Sequence, residues 1–142
     1  MFVVDASVWV ARYVPTDAHH DPSFRWLQGL VDDMVPIYAP MLLLPELAGP
    51  VSRRMADPAE AVDAVEVLLE LPTLHLEPLD ADLAHDSWLL AAERGLRGAD
   101  AVYLALAEFL GFPLVTWDRE QLERAPDVIS VSTPAELLER GA

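Results

Sequence analysis

Short apolar runs alternate along the chain with longer stretches of helical period. Phe2-Val3-Val4 is closed by Asp5, and Ala6 to Val14 (ASVWVARYV) reads as a short helix directly behind it. In DPSFRWLQGLVDD, Phe24, Leu27, Leu30 and Val31 fall on one helical face. Residues 36–40 (PIYAP) form a short strand bounded by prolines, and from Met41 to about Leu71 the pattern is helical in two pieces. Asp57-Pro58-Ala59-Glu60 marks the break as a capping box, with an acceptor at the cap, a proline where no N–H is needed and a glutamate at the third helical position. Pro45 and Pro50 interrupt the first piece and are expected to bend it.

The second half repeats the scheme. Residues 74–76 (LHL) alternate as a strand. Asp80 to Arg94 is an amphipathic helix stopped by Gly95, and Ala99 to Leu110 is another, stopped by Gly111. Residues 113–117 (PLVTW) are an apolar strand that, like the first, runs into an aspartate, Asp118. Residues 128–131 (VISV) read as a last strand, and Thr133-Pro134-Ala135-Glu136 as a second capping box opening a C-terminal helix. Strands separated by helices imply βαβ units, hence an α/β fold with a mostly parallel, helix-covered sheet of about five short strands. No repeat, low-complexity tract or linker interrupts the pattern, so residues 1–142 are expected to form a single domain.

Composition narrows the chemistry. The 24 acidic residues outnumber the nine arginines, no lysine occurs, and the net charge is -15. A hydrophobic content of 53% with four tryptophans nevertheless points to a packed core rather than a disordered acidic chain. Nonspecific grip on phosphate backbones is built from Lys and Arg, so a polyanion handled by this protein needs help from cations. The missing lysine also removes Schiff-base chemistry and the phosphate-binding lysine of nucleotide-binding loops. Without cysteine there is no disulfide, thiolate nucleophile or cysteine-based zinc site. Met1 leads into FVVDAS without a basic lead, and the apolar runs are too short to cross a bilayer, so a cytoplasmic protein without membrane contact is expected.

Four carboxylates stand in apolar surroundings. Asp5 and Asp118 follow strands, where open α/β sheets place the ligand crevice. Glu46 lies in MLLLPELAGPV, and Asp100 opens DAVYLALAEFLG. For Asp5 the alternative is local: Asp5 or Ser7 caps the following helix. A carboxylate in apolar surroundings is costly unless it is paired or metal-bound. With lysine absent and arginine sparse near Asp5 and Glu46, a shared divalent cation is the natural compensation. Hard oxygen ligands select Mg²⁺ or Mn²⁺, which commonly serve phosphoryl chemistry.

These segments resemble PIN-domain proteins, specifically the toxin component of VapBC toxin–antitoxin pairs. The resemblance runs through VVDASVWV, PELAGPV, RGLRGADAVYLALAEFLG and LVTWDREQL. The last two are the most specific: an aspartate opening an alanine-rich helix, then an apolar strand ending T-x-D. The resemblance implies a three-layer α/β/α fold and a Mg²⁺- or Mn²⁺-dependent endoribonuclease. Asp5, Glu46, Asp100 and Asp118 match the family's acidic quartet, with Asp5, Asp100 and Asp118 as metal ligands. Ser7 and Thr116 match its accessory hydroxyls. Glu120 stands where many relatives have another aspartate and is an auxiliary ligand at most. An antitoxin and a homodimer partner are implied as well, for which the apolar run MLLLPELAGPV and the helix to Leu71 offer a face; simple core packing is the alternative. Arg53, Arg54, Arg94, Arg97 and Arg119 lie near the acidic motifs as the available RNA phosphate contacts, although each also suits a helix end or a solvated surface.

Competing readings fall short on particular residues. A metal-dependent binding module of the von Willebrand A type would use Asp5-Ala6-Ser7, but Trp9 stands where its D-x-S-x-S motif needs serine. A phospho-accepting receiver or a dehalogenase-type phosphatase needs a lysine, and a dinucleotide-binding domain needs a G-x-G-x-x-G turn. His19-His20 reads as a solvated loop leading into a helix rather than a metal site. His75 suits the polar face of a strand, and His85 a helix surface. The tryptophans read as core, with Trp117, between Thr116 and Asp118, the one best placed to meet a ligand.

Overall fold

Five strands of two to four residues carry the centre of the computed structural model, which describes residues 1–141. In chain order they are β1 (Phe2–Val4), β2 (Ile37–Pro40), β3 (Leu74–Glu77), β4 (Leu114–Val115) and β5 (Val131–Ser132). All pair in parallel, in the order β3-β2-β1-β4-β5. Such a sheet must be covered on both faces, and the apolar runs of its inner strands allow this: Val3, Val4, Ile37, Leu114 and Val115 are fully buried.

Connection order sets the layers. From β1 to β3 the chain steps outward through α1 (Ala6–Tyr13), α2 (His20–Asp32), α3 (Leu43–Met55) and α4 (Pro58–Leu69). It then returns past β1 to β4 through α5 (Ala81–Arg94) and α6 (Gly98–Leu110). Because crossovers are right-handed, the reversal puts α5 and α6 on the opposite face from α1–α4, which makes the three-layer α/β/α arrangement. α6 lies directly on β1, β2 and β4, and its run from Ala101 to Ala107 is buried all round. Small alanines let this helix approach the sheet closely. The reversal also makes the β1/β4 boundary a topological switch point, where α/β sheets open a crevice beyond their carboxyl ends. Two short helices, α7 (Arg119–Arg124) and α8 (Pro134–Glu139), complete the chain.

Most predicted boundaries agree with the structure, and the differences have local causes. The buried face of α2 is Ser23, Trp26, Leu27 and Leu30; Phe24 turns outward under the Arg12 guanidinium, and Val31 is only half-buried. α3 runs through both prolines. Pro45 lies in its first turn, where backbone N–H groups have no partner anyway, and the helix ends at Ala56, whose φ is 52°. Asp57 caps α4, but the reciprocal bond from Glu60 is not made, because the Asp57 N–H already donates to the Ser52 carbonyl. The box at Thr133 is complete. The last strand is displaced from 128–131 to Val131–Ser132, since the N–H groups of Val128 and Ile129 turn back to the Ala125 carbonyl. That turn closes α7, a helix too short for its period to register in the sequence. Trp88, expected in the core, is exposed.

Candidate active site

Asp5 and Asp118 end up on either side of the switch point because β1 and β4 are neighbours. The Asp5 N–H donates to the Val115 carbonyl at 2.9 Å, continuing the sheet one residue beyond β1. Both aspartates cap the helix that follows. Asp5 Oδ2 accepts the Ser7 N–H at 3.0 Å, and Asp118 Oδ1 accepts the Gln121 N–H at 2.9 Å. The capping reading of Asp5 and the crevice reading are therefore both true of the same side chain. Asp5 is 4% exposed. Burial pushes its carboxyl above the ordinary range, against the bonds from Ser7, Gln121 and Thr116 that favour the charged form.

Ser7 and Thr116 tie the two strand ends together. Their hydroxyls lie 3.3 Å apart, the Trp117 N–H donates to Ser7 Oγ, and the Asp118 N–H donates to Thr116 Oγ1. Beneath them lies Gln121, a fully buried amide that the sequence reading missed. Its Oε1 is 2.6 Å from Thr116 Oγ1, and its Nε2 donates to the Asp100 carbonyl and, at 3.5 Å, to Asp5 Oδ1. One side chain thus touches three of the segments that carry carboxylates. Only the capping pattern of α7, unseen in the sequence, would have pointed to it.

α3 and α6 supply the other two acids. Glu46 and Asp100 each fall in the first turn of their helix, where N-terminal dipoles favour negative charge. Asp5, Glu46, Asp100 and Asp118 all line one open cavity of about 380 Å³. Glu46 Oε1, Asp100 Oδ2 and the Tyr103 hydroxyl are buried with no hydrogen-bond partner among the described residues. Burial, then the charges of Asp5 and Asp118, push the Asp100 carboxyl up to about 7, against the attraction of Arg97. Glu46 is raised as well, chiefly by burial; the nearby Tyr103 hydroxyl opposes this without a well-formed hydrogen bond, and the Asp5 charge adds to it. Tyr103 itself, buried and facing this negative field, is held far above the ordinary phenol range. Its contact with the site was not foreseen.

The negative charge of this cavity is poorly balanced by the residues around it. The cavity walls carry five carboxylates, those four and Asp17, against one arginine, Arg54, which is paired to Asp17 at 2.6 Å. A phosphate entering such a field is repelled. Asp100, Asp118 and Glu120 each offer an oxygen within 4.8 Å of the other two, a spacing that suits one ion. The tight group thus includes Glu120 and not Asp5, whose carboxylate is occupied by the hydroxyl and amide network. Two orphaned buried carboxylate oxygens and an all-oxygen donor set match a hard divalent ion.

The arginines divide. Arg94 pairs with Asp127 and contacts the Arg124 carbonyl, so it is a helix-end brace. Arg54 faces the cavity but is held by Asp17; desolvation is the largest single influence on that carboxyl and raises it, but the hydrogen bonds from Arg54 and the His19 N–H, with the charges of both residues, together bring it below the ordinary range. Arg53, Arg97 and Arg119 are exposed, with no carboxylate partner among the described residues. Trp117 does line the cavity, and so does His19, which was expected in a solvated loop; their rings stack on one another. His75 and His85 are exposed as expected, and Trp9 is fully buried, which removes the second serine position of the von Willebrand A motif from any surface.

Comparison with known proteins agrees with this architecture. The family model described as PIN domain matches residues 2–128. Ribonuclease VapC3 of Pyrobaculum aerophilum is 29% identical over 132 residues, 90% of this chain and 97% of that protein. The crystal structure of Mycobacterium tuberculosis VapC20, described as a sarcin-ricin loop cleaving toxin, superposes with a TM-score of 0.70 at 25% identity, over 84% of this chain and 91% of that one. VapBC2 from Rickettsia felis, solved on a DNA fragment from its promoter, has a TM-score of 0.70 at 17% identity, covering 93% and 97%, a likeness of fold.

Proposed function

We propose that this chain, which belongs to the PIN-domain family, is a metal-dependent endoribonuclease and the toxin of a type II toxin–antitoxin pair. The observation that carries the reading is the convergence of Asp5, Glu46, Asp100 and Asp118, from four separate segments, on one cavity with too little positive charge of its own. Ribonuclease VapC3, matched over nearly all of its length, supports RNA as the substrate.

Asp100 and Asp118, with Glu120 beside them and Asp5 behind, would hold Mg²⁺ or Mn²⁺. The bound ion would polarise the phosphoryl oxygen and offset the negative charge of the site. The protein does the rest. Gln121, Thr116 and Ser7 fix the Asp5 carboxylate, while the Asp100 carboxyl, pushed up to about 7, and the Glu46 carboxyl, raised chiefly by burial, are the groups best suited to take a proton from an attacking water. Arg53, Arg97 and Arg119, with Arg54 once released from Asp17, would meet flanking phosphates. The test is cleavage of a pooled labelled RNA by purified protein with Mn²⁺ or Mg²⁺. We expect EDTA and Asp5→Asn each to abolish it, and activity that survives both sinks the reading.

An antitoxin protein would be its partner, a reading supported by the VapBC assemblies among its structural neighbours. Val62, Val67 and Leu69, exposed on α4, would serve a homodimer. A monomeric mass by light scattering at micromolar concentration contradicts the dimer. No helix among the described residues is long and apolar enough to cross a membrane, and the proposed RNA target would place the protein in the cytoplasm.

A further inference from the structure

The rim of the acidic cavity carries an aromatic pair that the carboxylate chemistry does not use. His19 and Trp117 stack face to face, with ring centroids 3.9 Å apart and planes 6° from parallel. Both line the cavity. They come from segments nearly a hundred residues apart in the chain, so local geometry does not enforce the contact.

Each ring is held from behind. The Trp117 indole N–H donates to Ser23 Oγ at 2.8 Å, and Ser23 is fully buried in α2. The Trp117 backbone N–H donates to Ser7 Oγ at 3.0 Å, one residue before Asp118. On the other side, the His19 N–H donates to Asp17 Oδ1 at 2.7 Å while Asp17 Oδ2 pairs with Arg54 of α3. The loop between α1 and α2 is thereby clamped against two neighbours. His19 itself is exposed, and its side chain makes no helix-capping bond although it occupies the cap of α2. One face of the imidazole rests on the indole, which leaves the other to solvent at the mouth of the cavity. A histidine whose side chain makes no capping bond and lies flat on a tryptophan held by two hydrogen bonds presents a flat surface to a planar ligand.

We infer that His19, backed by Trp117, is a stacking platform for an unpaired base of single-stranded RNA, placed next to the phosphate that enters the carboxylate cavity. This rests on the ribonuclease reading and adds where the flanking nucleotide is held. Stacking on an aromatic ring serves any base, because each has a π-face, and it needs the base out of a duplex. The platform therefore selects loops and single strands over paired RNA, and gives affinity without the lysines this chain lacks. Arg54, across the mouth from His19 through Asp17, lies where it can meet the adjoining phosphate.

The test uses the full chain carrying Trp88→Phe, which removes the exposed indole outside the cavity and leaves the half-buried Trp117 as the responsive one, and a 2′-O-methyl RNA hexamer with Ca²⁺ in place of Mg²⁺, so that binding is read without turnover. Tryptophan fluorescence quenching by the hexamer is expected, and His19→Ala should weaken its affinity roughly tenfold, within the span for loss of one stacked base. His19→Phe, which keeps the ring and loses the nitrogens, should stay within about twofold of the parent. In cleavage assays the His19→Ala change should raise KM more than it lowers kcat, and should narrow the preference for single-stranded over duplex RNA. Unchanged affinity in His19→Ala while the parent cleaves RNA overturns the platform and leaves the nuclease. A parent that neither quenches with the hexamer nor cleaves pooled RNA overturns both.

Discussion

α5 and α7 start with the same bond. Asp80 Oδ1 accepts the Leu83 N–H at 2.9 Å, and Asp118 Oδ1 accepts the Gln121 N–H at 2.9 Å. Yet Asp80 is exposed, and the smaller pocket it lines with Glu77, Asp82 and Asp86 brings no three carboxylates within reach of one ion among the described residues, whereas Asp118 faces the larger cavity with the carboxylates of Asp100 and Glu120 close beside it. Capping engages one carboxylate oxygen and leaves the second to its surroundings. At Asp80 the second oxygen meets water. At Asp118 it meets other negative charge gathered from distant parts of the chain. Identical local chemistry thus becomes structural in one place and chemical in the other, and what separates them is which strand lies next door.

The largest effect should come from replacing each cap by its amide. Asn caps as well as Asp, so Asp118→Asn and Asp80→Asn should both fold with little change in stability. Asp118→Asn should nevertheless lower RNA cleavage by roughly a hundredfold to ten-thousandfold, the range for loss of a catalytic group, while Asp80→Asn cleaves normally. Equal activity in the two variants would reduce Asp118 to a cap.

A smaller effect, on stability, follows from charge crowding. The folded pKa of Asp100, about 7, lies above the ordinary aspartate value of 3.8. The folded state therefore binds more protons than the unfolded state between those values. The resulting stabilisation is fully present below the lower value and is lost as pH rises through the upper one. Without metal, melting temperature should fall by a few degrees between about pH 5 and pH 8, and Mn²⁺ should restore it most at the alkaline end. Asp100→Asn should flatten both trends, whereas Asp80→Asn should leave them as they are. A metal-free melting temperature that rises over that range would refute the crowding.

The smallest effect concerns the exposed arginines. Arg97 is near enough to Asp100 to lower its pKa. If it also meets phosphate, Arg97→Ala should reduce the salt dependence of RNA affinity by about one contact's share, a slope change of roughly 0.7 for single strands. An unchanged slope assigns Arg97 to the solvated surface. Arg94, closed in its pair with Asp127, should give no slope change and serves as the control.

Much of the architecture is local and therefore legible in the sequence. Gly95 and Gly111, with φ of 64° and 72°, end α5 and α6 where their position predicted, since a left-handed residue stops a helix whatever surrounds it. Strand-closing aspartates and apolar stretches around Glu46 and Asp100 marked the four acids, because a misplaced charge is visible in one dimension. Gln121, Tyr103 and the His19–Trp117 stack were not visible. An amide in REQLER, a tyrosine in an apolar helix and a histidine in a polar loop are ordinary in their own neighbourhoods, and only folding reveals what they face.

The chain alone determined most of its elements, its parallel α/β class and the oxygen-only, lysine-free chemistry available to it, because propensity, periodicity and composition act over a few residues. Tertiary structure decided which acids stand within reach of one another. Adjacency of β1 and β4 brings residues 5 and 118 together across the switch point, and α3 and α6 close in from opposite layers. Burial and mutual repulsion then raise Asp100 and Glu46. Those forces depend on distances in space, and no reading of spacing along the chain contains them.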